Sequence, residues 1–173
     1  MELWATDQHR LGLKPILRRV WSPRGQRPGA PVRHRYQWCY LYAFVHPGPG
    51  RTWWLLLPTV SIAAFTLALA EFAQAVGAGP GTQVMVVLDG AGWHVSAQVH
   101  VPAGVHSHVL PPYSPEWQPA ERLRPLTNEA LANRHFHDLG ERQTVQAQRC
   151  LRLQATPEII RAHTHFHWWP QTA

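Results

Sequence analysis

Three carboxylates stand at positions where the sequence could support chemistry. An apolar run over residues 84–88 ends on Asp89, and a proline-rich segment after it closes on Glu121, 121 − 89 = 32 positions further along. Asp7 follows a short apolar stretch at the start of the chain. Hard divalent cations take oxygen ligands, and two ions about 3.5 to 4 Å apart can stabilise both oxygens of a phosphoryl transfer. The pattern therefore predicts a metal-dependent site for phosphodiester chemistry.

The elements that must position these acids can be inferred from apolar periodicity and turn residues. Five segments have the length and alternation of strands, and one amphipathic segment, ended by glycine and proline, has the pattern of a helix. The predicted strands are Leu3 to Asp7, Tyr36 to Val45, Thr52 to Leu57, the run ending at Asp89, and Val105 to Leu110; the predicted helix is Ser61 to Val76.

Further helical patterns follow the proline-rich loop, around Ala120 to Asn133 and, more weakly, from Gly140 to Arg161. Pro125 stands four residues beyond Glu121, so we expect a kink or a late helix start there. Antiparallel strands followed by alternating strands and helices predict an α/β fold with a mixed sheet. The RNase H-like fold, with three antiparallel strands, then parallel strands, and flanking helices, is the best-known arrangement of this kind that carries three acids.

Composition indicates one globular domain over residues 1–173, since 45% of the residues are hydrophobic and 15% are charged. Cys39 and Cys150 have no nearby cysteine, which predicts a reducing, cytoplasmic setting rather than disulfides or a zinc site. The apolar stretch from Trp53 to Val76 contains only Glu71 as a charge. A membrane span is the lesser alternative there, because Pro58 interrupts the stretch and the residues after it are amphipathic.

The positive charge of the chain is concentrated near Asp7. Residues 1–35 hold eight basic and two acidic side chains, and the remainder holds eight of each. A basic region beside a phosphodiester site predicts contacts with the phosphates of DNA, although a solvated basic face is the alternative. The predicted DNA-binding residues are Arg10, Lys14, Arg18, Arg19, Arg24 and Arg27, and Arg33 and Arg35 belong to the same basic region.

Histidines offer a second metal hypothesis. His163, His165 and His167 alternate, so an extended strand would place all three on one face. We favour a partly exposed tail packed by the two tryptophans that follow, because no cysteine or carboxylate accompanies the histidines. His94, close to Asp89, is a weaker candidate for contact with DNA or with the water around a metal ion.

Several motifs resemble a known family. Leu88 to His94, Leu110 to Glu116, Gln118 to Leu123, Leu131 to Arg134 and the ending His165 to Pro170 are similar to segments of the DDE endonuclease domain of bacterial insertion-sequence transposases in the mariner-like superfamily. The resemblance implies an RNase H-like domain in which Asp7, Asp89 and Glu121 hold two Mg²⁺ or Mn²⁺ ions. These ions would support nicking at a transposon end and transfer of the freed strand into target DNA. Glu116 is the competing third acid.

The sequence departs from the family pattern at three positions near the acids. Gln8, Gly90 and Arg124 stand where the family usually has Glu, Asn and Trp. No helix-turn-helix DNA-binding domain fits before Asp7, so we expect a split or truncated transposase with a possible N-terminal half encoded upstream. Homo-oligomers on DNA and a nucleoid-associated location are also implied. The alternatives are a catalytically inactive remnant that only binds DNA, and a generic RNase H-like nuclease.

Overall fold

The computed structural model describes residues 1–27, 29 and 36–170. Its sheet has five strands in the order β3-β2-β1-β4-β5. β1 pairs antiparallel with β2, and β2 with β3, whereas β1 to β4 and β4 to β5 are parallel. This is the mixed RNase H-like sheet that the sequence predicted. The strands are β1 (Glu2–Gly12), β2 (Trp38–His46), β3 (Arg51–Leu57), β4 (Val84–Leu88) and β5 (Val105–Val109).

β1 is longer than the predicted strand from Leu3 to Asp7. Its second half, from Gln8 to Gly12, continues to pair with β2, where Gln8 lies opposite Tyr42 and Gly12 opposite Trp38. Pairing with β4, in contrast, extends only from Glu2 to Ala5. The polar and basic residues after Asp7 gave no apolar signal, but the ladder with β2 satisfies their backbone groups.

One face of the sheet is covered by α1 (Ile62–Val76), in close agreement with the predicted helix. Ser61 caps its first turn by accepting a hydrogen bond from the Ala64 amide at 3.1 Å. Phe72 of this helix stacks on Phe44 of β2 with ring centroids 4.2 Å apart. Over the part of the chain that the structure describes, no helix is long and apolar enough to cross a membrane.

The other face is covered by α4 (Leu139–Gln154) and α5 (Pro157–Thr164), which pack against β3. The weaker helical patterns predicted from Gly140 to Arg161 correspond to these two helices, the second of which begins at Pro157. His163 lies within α5, so the alternating histidines do not form a strand and the second metal hypothesis loses its geometric basis. Asp138 caps α4 by accepting from the Glu141 amide at 2.8 Å.

The region predicted as one helix from Ala120 to Asn133 consists of three short pieces. A 3₁₀ turn (Pro119–Arg122) is followed by α3 (Leu123–Asn128) and by a second 3₁₀ turn (Glu129–Leu131). The late helix start expected from Pro125 is confirmed, because Pro125 falls in the first turn of α3, where its missing N–H does no harm. Glu121 consequently lies in the turn before the helix.

Candidate active site

Two of the three predicted acids meet at the same level of the sheet. β1 and β4 are adjacent and parallel, and their register pairs Ala5 with Val87. Two further residues along each strand lead to Asp7 and Asp89, so these acids stand side by side where pairing between the strands has ended. Asp89 directly follows the buried end of β4, as the sequence predicted.

Asp7 is largely buried and forms an ion pair with Arg124 of α3. The guanidinium donates to Oδ2 of Asp7 from Nη2 at 2.6 Å and from Nε at 3.1 Å. Burial raises the pKa of Asp7 above its ordinary value, and the neighbouring Arg124 opposes that rise. Sequence reasoning noted Arg124 only as a departure from a family pattern. The structure gives it a direct contact with the first acid.

Asp89 is half exposed and is held by the short helix α2 (Gly92–Val95). His94 Nδ1 lies 2.6 Å from Oδ1 of Asp89, and the Ala91 amide donates to the same oxygen at 3.2 Å. The hydrogen bond from His94 lowers the pKa of Asp89, so its carboxylate form is favoured. Because Nδ1 must donate to a carboxylate, the proton of the neutral ring belongs on Nδ1.

His94 therefore positions the side chain of Asp89. From the sequence, we had expected it to contact DNA or the water around a metal ion. Its side chain is fully buried and packs against Phe65 of α1, with ring centroids 4.4 Å apart. The adjacent Trp93 donates from Nε1 to Gln8 at 3.1 Å. α2 thus contacts the chain next to both acids. Trp93 bonds to Gln8, the neighbour of Asp7, and His94 bonds to Asp89.

Glu121 shares an open cleft with Asp89. The cleft has a volume of about 390 Å³ and is bounded by the proline-rich loop. Burial raises the pKa of Glu121, Arg124 opposes the rise, and the charges of Asp7 and Asp89 add to it. The charges of Asp7 and Asp89 therefore both disfavour the ionised form of Glu121. Glu116, the competing third acid, is exposed in a 3₁₀ turn (Pro115–Trp117) and does not line the cleft.

Gln118 fixes the loop that carries Glu121. This side chain is buried and donates from Nε2 to the carbonyl oxygen of Thr6 at 3.0 Å. Its Oε1 accepts from the Ala120 amide at 3.4 Å. The loop is thereby tied to β1 at Thr6, the residue before Asp7. Because Glu121 follows Gln118 by three positions, this bond also fixes the place of Glu121 near β1.

Comparison with known proteins assigns the chain to a family. A family described as DDE superfamily endonuclease matches residues 2–143. The chain belongs to that family. An uncharacterized protein of Sinorhizobium fredii, y4pE/y4sA, is 35% identical over 105 residues, which are 60% of this chain and 76% of the relative.

Solved structures support the same fold for this DDE domain. The catalytic domain of Mos1 mariner transposase matches with a TM-score of 0.56 and 14% identity, over 96% of this chain and 84% of that one. The Mos1 paired-end complex with Mg matches with a TM-score of 0.66 and 17% identity, over 95% and 51%. The chain spans about half the length of the transposase chains in such complexes. The predicted resemblance to mariner-like DDE transposases is confirmed.

The acids of this DDE domain have the donor chemistry that hard divalent ions require, but they are not assembled. Among residues 1–27, 29 and 36–170, no three His, Cys, Asp or Glu side chains form a group that could hold a metal ion. Asp7 lines a separate, much smaller space with Arg124, outside the cleft of Asp89 and Glu121. The three carboxylates therefore do not face one open cleft, because Arg124 and the surrounding burial hold Asp7. A metal ion that used Oδ2 of Asp7 would compete with Arg124 for that oxygen.

The six predicted DNA-binding residues occupy different environments. Arg18 forms an ion pair with Glu129 and donates to the carbonyl oxygen of Pro125 at 3.1 Å, so it joins the basic segment to α3. Arg10 stacks over Trp38, with its guanidinium 5.4 Å from the ring centroid. Lys14 lines a cavity beside β1. The other three are exposed: Arg19, Arg24 and Arg27. Arg33 and Arg35 lie outside the described residues.

Proposed function

We propose that this chain is the catalytic domain of a DNA transposase, in which Asp7, Asp89 and Glu121 hold two Mg²⁺ or Mn²⁺ ions. The observation that supports this most directly is the juxtaposition of Asp7 and Asp89 at one level of adjacent parallel strands, with Glu121 in the cleft of Asp89. When bound, such ions would activate the attacking oxygen and stabilise the leaving oxygen of a phosphoryl transfer. The similar Mos1 structures are paired-end complexes with a left transposon end, with Mn and with Mg, which supports this assignment.

The chain's own residues would prepare this chemistry. His94 orients Asp89 and keeps it ionised by donating a hydrogen bond to Oδ1, and the Ala91 amide donates to the same oxygen. Neither of these two bonds involves Oδ2. Gln118 holds the loop of Glu121 against β1. Arg124 neutralises Asp7 until another cation replaces it. The expected product is a nicked DNA strand whose freed 3′ hydroxyl then attacks target DNA.

A supercoiled-plasmid nicking assay with Mg²⁺ or Mn²⁺ tests the proposal. Asp89→Asn and Glu121→Gln should each lower nicking by at least about a hundredfold, since each removes a ligand of the reacting centre. Glu116→Gln, in the same loop but outside the cleft, is the matched control and should retain activity. Equal activity in Glu116→Gln and Glu121→Gln variants would remove Glu121 from the proposed set.

An inactive remnant that only binds DNA is the second candidate, and the Asp7–Arg124 ion pair favours it. If intact, folded protein shows no metal-dependent nicking while retaining DNA binding, the remnant hypothesis replaces the first. A generic RNase H-like nuclease predicts equal cleavage of transposon-end and random duplexes. The partner half encoded upstream and the homo-oligomer on DNA stay predictions, to be tested by adding the upstream product and by measuring mass on end DNA.

A further inference from the structure

A cavity of about 390 Å³ lies beside the second half of β1 and shares no lining residue with the cleft of Asp89. Its volume is in the range of small-ligand sites. The walls combine β1, the start of β2, the extended segment at residues 14–16, α3 and α4. The residues that define its chemistry are His9, Arg10, Lys14, Trp38, Asn128 and Arg142.

The charge of these walls is positive only. Arg10, Lys14 and Arg142 contribute basic groups, and no acidic residue of the described chain lines the cavity. The Arg10 guanidinium lies over the ring of Trp38 at 5.4 Å, which holds one basic group against an aromatic surface. A cavity of this composition suits an anion, and guanidinium groups suit the oxygens of a phosphate.

Arg142 provides the decisive observation, because it is a buried charge without a counter-ion. Its relative exposure is 2%, and no ion pair to it occurs among the described residues. Nη1 donates to the Lys14 carbonyl oxygen at a long 3.4 Å, and Nε has no hydrogen-bond partner. The guanidinium also lies 5.6 Å from the ring centroid of Phe136. A buried, unpaired charge is strongly unfavourable unless an opposite charge joins it.

We propose that this cavity binds a phosphate group, with Arg142 as its buried anchor and Arg10 and Lys14 at its walls. His9 lines both this cavity and the small space that holds Asp7, so the two sites adjoin. Asp7 and His9 stand two positions apart on β1, which places their Cα atoms roughly 7 Å apart. A DNA phosphate near the cleaved bond could therefore occupy the cavity. Assigning that phosphate to DNA rests on the proposed function, whereas anion binding does not.

The test is equilibrium binding in EDTA, so that no cleavage is needed and its result is independent of nicking activity. Arg142→Met should weaken binding of a fluorescein-labelled duplex by roughly ten- to a hundredfold. The slope of log Kd against log salt should fall by about 0.9, which corresponds to one phosphate contact. Arg152→Met, an exposed site on the same helix, is the matched control and should change neither quantity. Lys14→Met, at an exposed position on the cavity wall, should also weaken binding without loss of fold.

Thermal melting with inorganic phosphate separates a binding role from a structural one. Without phosphate, Arg142→Met should raise the Tm, because it removes an unpaired buried charge; phosphate should raise the Tm of the natural protein and not that of the variant. If phosphate protects but Arg142→Met leaves DNA affinity unchanged, the site takes free phosphate and the DNA assignment falls. A lower Tm for the variant, with phosphate and DNA responses equal to those of Arg152→Met, would overturn the site altogether.

Discussion

Arg124→Gln should destabilise the metal-free protein and strengthen its response to metal. Arg124 is 41% exposed and Asp7 is 11% exposed, so the variant leaves a nearly buried carboxylate without its cation. Hydrogen bonds between charged groups contribute about 1.5–3 kcal/mol, and solvent around Arg124 places this pair at the lower end. We expect the free energy of unfolding in EDTA to fall by about 1–2 kcal/mol, as measured by urea denaturation.

The metal response follows from a thermodynamic cycle. If a metal ion must displace Arg124 from Asp7, saturating Mn²⁺ should bring the natural protein and Arg124→Gln to nearly equal stability. The variant then gains about 1–2 kcal/mol more from Mn²⁺ than the natural protein, which corresponds to roughly ten times tighter binding. Electron paramagnetic resonance of free Mn²⁺ measures that affinity directly and requires no activity.

Two controls decide whether Arg124 competes with the metal. Arg122→Gln removes a neighbouring charge that lies over Phe166 and forms no ion pair among the described residues. Arg122 is the last-named of the charges that act on Glu121, so the variant should respond to Mn²⁺ nearly as the natural protein does. In an Asp7→Asn background, the additional change at Arg124 should have little effect on Mn²⁺ affinity. Equal Mn²⁺ gains in Arg124→Gln and the natural protein would refute the reasoning.

Three further outcomes are expected. His94→Phe keeps the ring that packs in the core but removes the bond to Asp89, so the pKa of Asp89 should rise toward its ordinary value in an NMR titration; an unchanged pKa would contradict this. Burial lowers the pKa of His46, so below about pH 6.5 the unfolded state binds a proton at His46 more readily than the folded state does. The free energy of unfolding should therefore decrease as the pH is lowered, by at most about 1.4 kcal/mol per pH unit. His46→Gln should flatten that dependence in denaturant melts. Gly50→Ala should lower the free energy of unfolding by more than about 2 kcal/mol in urea denaturation, because φ is +73° and the new Cβ would lie 2.0 Å from the carbonyl oxygen of the residue that begins α5. The control is Gly77→Ala, where φ is +70° but the space is free, and it should lower the free energy of unfolding by about 1 kcal/mol.

The sheet could be predicted because its signals are local. Runs such as Val84–Leu88 are apolar throughout, as strands buried on both faces require, and Ser61 with Gly77 marks both ends of α1. The second half of β1 gave no such signal, since its polar residues are stabilised by pairing with β2, from which 25 residues (13–37) separate it in the chain. A local sequence pattern thus identifies strands in the core well. It does not identify the end of a strand that extends beyond the core only because it pairs with a neighbouring strand.

The strand-end position of Asp89 could be predicted for the same reason, and the side-chain partners of the acids could not. Asp89 stands at the end of an apolar run, which a single segment reveals. Arg124 reaches Asp7 across 117 positions, and its contact depends on how the turn before α3 packs against β1. His94 is closer in sequence, yet its role depends on whether α2 turns the ring inward against Phe65. Charges and rings near a motif are visible in sequence, but the direction in which they point is not.

The basic region shows why charge counting has a limit. Eight positive side chains within residues 1–35 suggested one phosphate-binding surface, but Arg18 is paired with Glu129, 111 positions away. Asn133 adopts a positive φ of 55° and exchanges hydrogen bonds with the backbone of Arg18, so this part of the segment is fixed against the domain. An arginine that already neutralises a carboxylate releases no counter-ion when DNA binds. Arg18→Gln should therefore change the salt slope of DNA binding much less than Arg142→Met, although Arg18 is exposed and Arg142 is buried.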